Sequence, residues 1–255
     1  MPHDDILLLE RIHDAAETEL KRDGLTVRRV DRALAPEELA EHLADVRMVG
    51  IRSKTHITED VMNAAPHLEA IGCFCIGTNQ VDLDAAARRG ITVFNSPFSN
   101  TRSVAEMTLA EIIALHRKLF DRSMRLHEGQ WAKTATAAHE VRGRTLGIVG
   151  YGHIGSQISV LAEALGMRVI YHDILPVMPL GNARACASLD ELLTEADVVT
   201  LHVPETETTR NLIGAAQLDR MKKTAVLINN ARGTVVDLDA LRSAIESEVI
   251  AGAAL

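Results

Sequence analysis

Cysteine is scarce in this sequence: three residues in 255, Cys73, Cys75 and Cys186. An odd number offers no disulfide framework, and no C-x2-C pair is present to build a structural zinc site. The three read as reduced thiols of a cytoplasmic protein. The amino terminus, MPHDD, is acidic and lacks the basic stretch and apolar run of a secretory signal. No apolar run approaches the roughly 18 residues of a membrane span. Neither secretion nor a membrane partner is therefore expected. Positive charge is also short, with 27 Lys and Arg against 35 Asp and Glu and a formal net charge of −8. A surface for nucleic acid or another polyanion is not expected. No repeat of solenoid period and no low-complexity tract occurs. The composition is globular, 47% hydrophobic, and the chain is long enough for one large core or two modest ones.

Short apolar runs alternate with amphipathic stretches from the start. Residues 6–9, 26–30, 46–51, 68–74 and 91–94 read as strands, and residues 15–21, 36–43, 59–65 and 83–88 as the helices between them. Parallel strands need such crossovers, because a tight turn cannot join them. Residues 1–99 are expected to form one α/β domain, of flavodoxin-like type. A polar cluster follows Pro97, then a helical pattern over 104–120 that a Ser or Thr before Glu106 can cap. Residues 128–139 are weakly periodic and hold the only tryptophan, Trp131. The alternation restarts at Thr145, so a second α/β domain is expected over 100–255.

That second domain carries the most informative spacing. The short aliphatic strand 145–149 runs into Gly150, Gly152 and Gly155 in a G-x-G-x-x-G array, followed by a helical pattern over 156–165. The first glycine permits a tight turn, the second lets the backbone approach a pyrophosphate, and the third lets helix pack on strand. The helix N-terminus offers N–H groups to the phosphates, so the backbone at His153 and Ile154 also belongs to the candidate site. A second strand, 168–172, ends at Asp173, placed to accept hydrogen bonds from the adenosine ribose hydroxyls and to repel a 2′-phosphate. A doubly wound Rossmann domain binding NAD rather than NADP is expected. Strands 197–203 and 225–229 lead to Pro204 and to the loop Asn230, Ala231 and Arg232, which should face the nicotinamide half.

Six stretches together resemble one family. They are RSK at 52–54, IGCFCIGTNQVD at 71–82, FNSPFSNTRSVAE at 94–106, GIVGYGHIG at 147–155, LHVP at 201–204 and ARGTVVD at 231–237. As a set they are similar to the D-isomer specific 2-hydroxyacid dehydrogenases, in particular to the phosphoglycerate dehydrogenase branch. The resemblance implies NAD-dependent oxidation of D-3-phosphoglycerate to 3-phosphohydroxypyruvate, the entry to serine synthesis, in a two-domain homo-oligomer with its site in the cleft. Such an oxidation needs a hydride acceptor, a base, and a cation that binds the substrate carboxylate and polarises the carbonyl oxygen. Arg232 suits the cation's role, since its fork can bind a carboxylate bidentately. The resemblance makes the N–H groups at Ile76 and Gly77 a carboxylate cradle, gives the phosphate to Arg52, Ser53 and Lys54, and puts Asn100 at the cleft. Cys73 and Cys75 read as packing residues, no metal site is expected, and His172 and His202 read as structural groups near the cofactor.

The sequence also departs from the family. The resemblance places the general base, a histidine, and its glutamate partner in later stretches that these 255 residues do not contain, and His153 belongs to the phosphate-binding turn instead. Ala231 stands where a small polar residue usually precedes the arginine. A truncated Rossmann domain, incomplete at its C-terminal end and with little or no turnover, is expected on this basis. Two alternatives stay open: a dehydrogenase of another D-2-hydroxy acid, and a non-catalytic NAD-binding module.

Overall fold

A computed structural model describes residues 4–131 and 133–255. Residues 1–3, part of the amino-terminal stretch read above for signals, and Ala132 lie outside the described residues. The chain divides into two compact units, one ending at Asn100 and the other spanning Thr101–Leu255.

The first unit runs β1 (Ile6–Leu9), α1 (Asp14–Arg22), β2 (Val27–Val30), α2 (Pro36–Leu43), β3 (Met48–Ile51), α3 (Glu59–Asn63), β4 (Ala70–Cys73), α4 (Leu83–Arg89) and β5 (Thr92–Asn95). Local chemistry sets these boundaries. Thr58 and Asp82 accept hydrogen bonds from first-turn N–H groups of α3 and α4, Pro36 opens α2, and Gly90 ends α4 with φ 71°. The sheet is wholly parallel, in the order β2-β1-β3-β4-β5. Along β1 the side chains alternate, Leu7 and Leu9 joining the large core with Val49, Ile51 and Ile71, while Ile6 and Leu8 join Ile12 in a smaller cluster. This is the flavodoxin-like arrangement, whose strand order reverses between β1 and β3.

The second unit runs α5 (Thr101–His116), α6 (Leu119–His127), β6 (Thr145–Val149), α7 (His153–Ala164), β7 (Arg168–His172), β8 (Arg184–Ala185), α8 (Leu189–Glu195), β9 (Val198–Leu201), α9 (Ala215–Leu218), β10 (Val226–Asn229), α10 (Leu238–Glu246) and β11 (Gly252–Ala254). Its six strands are all parallel, in the order β11-β10-β9-β6-β7-β8. That is the doubly wound Rossmann order, with Gly252–Ala254 as the sixth strand. One face packs Leu146, Ile148 and Val169 against α5 and α7, and the other packs Val149, Val199 and Leu227 against residues of α8 to α10.

The helical pattern at 104–120 is not one helix. It ends at His116, Lys118 takes a left-handed φ of 55°, and α6 starts afresh. The carbonyl of His116 accepts a hydrogen bond of 2.8 Å from the N–H of His139, so the returning chain satisfies the helix end. Apolar residues continue across the break at Leu119 and Phe120, which hid it from the periodicity. No helix among the described residues is long and apolar enough to cross a membrane.

Candidate functional site

Strand register lines up the candidate residues of the second unit. Val149 pairs with Leu201 and with His172, and Leu201 pairs with Asn229. The next residues, Gly150, His202, Asn230 and Asp173, therefore share the carboxyl edge of four adjacent strands, flanking the reversal of strand order between β6 and β9. Ligands of open α/β sheets bind at such reversals.

The three glycines do different work there. Gly150 has φ 91°, and a Cβ would sit 2.6 Å from the His202 carbonyl oxygen. At Gly155 a Cβ would meet the Gly150 carbonyl oxygen at 2.3 Å, so the chain itself excludes a side chain. Around Gly152 a Cβ would meet nothing within 4 Å. The protein leaves this space open, beside an α7 N-terminus that has no side-chain cap. An open backbone approach in front of an uncapped twelve-residue helix fits a dinucleotide pyrophosphate. Ile154 is half-buried in the first turn, and His153 is exposed.

Asp173 is already engaged in shaping the turn. Its Oδ2 accepts from the Tyr151 N–H at 2.7 Å and its Oδ1 from the Leu175 N–H at 2.9 Å. Each oxygen retains acceptor capacity for a ribose hydroxyl. Tyr151 stacks on Tyr171 with ring centroids 4.0 Å apart. The Tyr151 hydroxyl accepts from Leu180 N–H, and the Tyr171 hydroxyl donates to the Val177 carbonyl, so two tyrosines hold the loop after Asp173.

The loop after β10 is held from within. Asn229 is buried, its Nδ2 donating to the Arg232 carbonyl at 2.9 Å and its Oδ1 accepting from the Ala231 N–H at 3.2 Å. Asn230 turns its amide to α5, donating to Thr108 Oγ1 at 3.0 Å and Glu111 Oε2 at 2.7 Å. Its side chain is therefore a brace for the loop. Arg232 is exposed, and its guanidinium touches only the Ala231 carbonyl, without a carboxylate partner among the described residues. Pro204 is exposed after β9, its carbonyl accepting from Thr209 Oγ1. His202 Nε2 shares a 2.8 Å hydrogen bond with Thr200 Oγ1, and its Nδ1 is buried with no partner. Burial pushes this imidazole down to a pKa of about 4, so it is neutral at physiological pH.

In the first unit, Arg52, Ser53 and Lys54 follow β3 and are exposed, and neither cation has an acidic partner among the described residues. Ile76 and Gly77 follow β4, half-buried, and their N–H groups donate to no described group. The Ile76 carbonyl accepts from Asn95 Nδ2 at 2.7 Å. Gln80, 4% exposed, joins the two loops, its Nε2 donating to the Arg52 carbonyl at 2.9 Å and the Gly77 carbonyl at 3.2 Å. Asn100 ends the unit, exposed and without a side-chain hydrogen bond among the described residues. Gln80, Asn95 and Asn229 escaped the sequence reading, as did Glu10, whose carboxylate accepts from the backbone N–H groups of Arg52, Lys54 and Thr55. Each is a polar residue within or beside an apolar segment, which is a signal, but each acts on backbone that the sequence does not identify. Among the described residues no group of acidic, His or Cys side chains could hold a metal. Cys73 is buried, and its thiol is pushed up to about 11 by burial, in keeping with a packing role.

A family model described as D-isomer specific 2-hydroxyacid dehydrogenase, NAD binding domain, matches residues 109–255. The chain is 56% identical over 250 residues to D-3-phosphoglycerate dehydrogenase 1 of Saccharomyces cerevisiae, covering 98% of this chain and 53% of that protein. It is 53% identical over 250 residues to the D-3-phosphoglycerate dehydrogenase of Haemophilus influenzae, covering 98% and 61%. The chain thus spans between about half and three-fifths of these curated relatives. Among solved structures, D-lactate dehydrogenase with NAD+ from Lactobacillus jensenii superposes with a TM-score of 0.82 at 29% identity, covering 98% of this chain and 79% of that one.

Proposed function

Since the chain belongs to the D-isomer specific 2-hydroxyacid dehydrogenase family, whose NAD-binding domain it carries, we propose that it serves the NAD-dependent oxidation of D-3-phosphoglycerate to 3-phosphohydroxypyruvate. The supporting observation is a pair of cations, Arg52 and Lys54, without acidic partners among the described residues and on a fixed loop, in a chain whose second unit lines up Gly150 and Asp173 at one sheet edge, with Gly152 and Gly155 in the turn and helix that follow and Arg232 in the loop after β10. When bound, NAD supplies the hydride acceptor. The residues named here do the rest of the binding. Gly152 and the α7 N-terminus receive the pyrophosphate, with His153 and Ile154 lending backbone, and Asp173 takes the ribose hydroxyls and disfavours a 2′-phosphate. Pro204, Asn230 and Ala231 border the nicotinamide end. Arg232 holds the substrate carboxylate and polarises the oxygen that becomes the carbonyl. In the first unit, taken by itself, the N–H groups of Ile76 and Gly77 are suited to a carboxylate, the side chains of Arg52, Ser53 and Lys54 to the phosphate, and Asn100 to a substrate contact.

The chain is further proposed to act as a cytoplasmic homo-oligomer. Helix α6 has no buried residue, and Leu119, Phe120, Met124, Leu126 and Trp131 are all more than half exposed, an apolar surface suited to a second copy. Calorimetric titrations of the 255-residue chain test the assignment. NAD is expected to bind at least about tenfold more tightly than NADP, and D-3-phosphoglycerate more tightly than D-lactate. A folded chain that binds no NAD would overturn it, and sedimentation equilibrium reads the oligomer directly.

A further inference from the structure

Just past β1, Glu10 and Arg11 both carry positive φ, 58° and 52°. Two consecutive non-glycine residues in the left-handed region are strained, and such strain persists only where the surroundings over-determine it. The Glu10 carboxylate does so. Its residue is 8% exposed, Oε1 accepts from the Arg52 N–H at 3.1 Å and the Thr55 N–H at 2.9 Å, and Oε2 accepts from the Lys54 N–H at 3.0 Å. Burial pushes this carboxyl up, but the hydrogen bonds from Thr55, Lys54 and Arg52 outweigh it and hold it below its ordinary value.

Backbone N–H groups that converge from one turn form an anion-binding nest, and at the β1/β3 reversal of the first unit the N–H groups of Arg52, Lys54 and Thr55 converge on the chain's own Glu10 carboxylate, the Ser53 N–H standing apart. Three of the four amides between Arg52 and Thr55 are thereby engaged. Gln80 grips the Arg52 carbonyl from the β4 side, so the loop is fixed from both flanks while the side chains of Arg52, Ser53 and Lys54 stay exposed.

We propose that Glu10 is a positioning residue for the substrate's phosphate end: it occupies the backbone nest, fixes the loop, and leaves the phosphate to the side chains of Arg52, Ser53 and Lys54. This rests on the phosphoglycerate assignment above. It accounts for the strain at positions 10 and 11, which carries the carboxylate over to the neighbouring strand end.

The test compares the full chain with Glu10→Gln, whose amide nitrogen would face a donor in the nest. Amide hydrogen exchange at Arg52, Lys54 and Thr55 should accelerate by about tenfold or more in the variant. Calorimetry should show D-3-phosphoglycerate binding weakened by about tenfold, with D-glycerate and NAD binding unchanged. A role confined to stability would weaken phosphorylated and unphosphorylated ligands alike, and that result, or unaltered exchange, would overturn the proposal. Should the variant not fold, the wild-type chain decides. None of these three amides lies in a helix or strand, yet they must exchange slowly while the neighbouring Ser53 amide, which has no acceptor among the described residues, exchanges fast. Equal rates at all four positions would refute the nest. A wild-type chain that binds NAD but no phosphoglycerate would refute the substrate assignment, and the exchange rates would still settle whether Glu10 holds the loop.

Discussion

His202 should make the second unit sensitive to acid, and its contribution can be isolated. Its imidazole is bonded to Thr200 through Nε2, its Nδ1 is buried without a partner among the described residues, and burial lowers its pKa from 6.5 to about 4. Between those two values the unfolded chain binds a proton that the folded chain refuses. Unfolding therefore takes up a proton there, and stability falls as the pH drops. Each unit of pKa difference is about 1.4 kcal/mol, so a depression of roughly two and a half units removes about 3 kcal/mol by about pH 4. The comparison is His202→Gln, which cannot titrate, followed by urea denaturation at pH steps from neutral to about pH 4.5. Carboxylates that titrate over the same range are common to both proteins and cancel in the difference. Wild type is expected to lose stability relative to the variant by about 1.4 kcal/mol per pH unit below about pH 6. Parallel curves across that range would show that the imidazole is solvated or paired in the folded protein, and the argument would fail.

Gly155→Ala forces a Cβ to within 2.3 Å of a backbone oxygen and should cost about 1–3 kcal/mol in urea denaturation. Gly152→Ala meets nothing within 4 Å and should leave stability within about 0.5 kcal/mol while weakening NAD binding by at least about tenfold. Wild-type NAD affinity in that variant would place the pyrophosphate elsewhere. Asp173→Asn removes the charge that opposes a 2′-phosphate, so the calorimetric preference for NAD over NADP should shrink by about tenfold; an unchanged ratio would remove Asp173 from the discrimination. Asn230→Ala loses two hydrogen bonds, one to the Glu111 carboxylate, and should lower unfolding free energy by about 1.5–3 kcal/mol. No loss would show that α5 does not brace the Arg232 loop.

Much of the fold is written in short-range pattern. The all-apolar strand at Ile6–Leu9, the strand at Thr145–Val149 running into a glycine turn, and Pro36 opening a helix each depend on residues within one or two turns of chain, so periodicity and turn chemistry reveal them. The break at Lys118 was not legible, because the apolar pattern runs across it and the partner of the His116 carbonyl is His139, beyond a full helix. The same limit applies to the sites. Sequence alone determined that a glycine turn joins a strand to a helix at Gly150 to Gly155, that an acid follows the next strand, and that an arginine follows a later one. Only the tertiary structure decided that Glu10 fills the amide nest of a loop more than forty positions away, and that Asn230 braces its loop on a helix over a hundred positions earlier. Hydrophobic period and capping are properties of neighbouring residues, whereas which strand ends stand side by side follows from strand order and register, and those are set by the packing of the whole sheet.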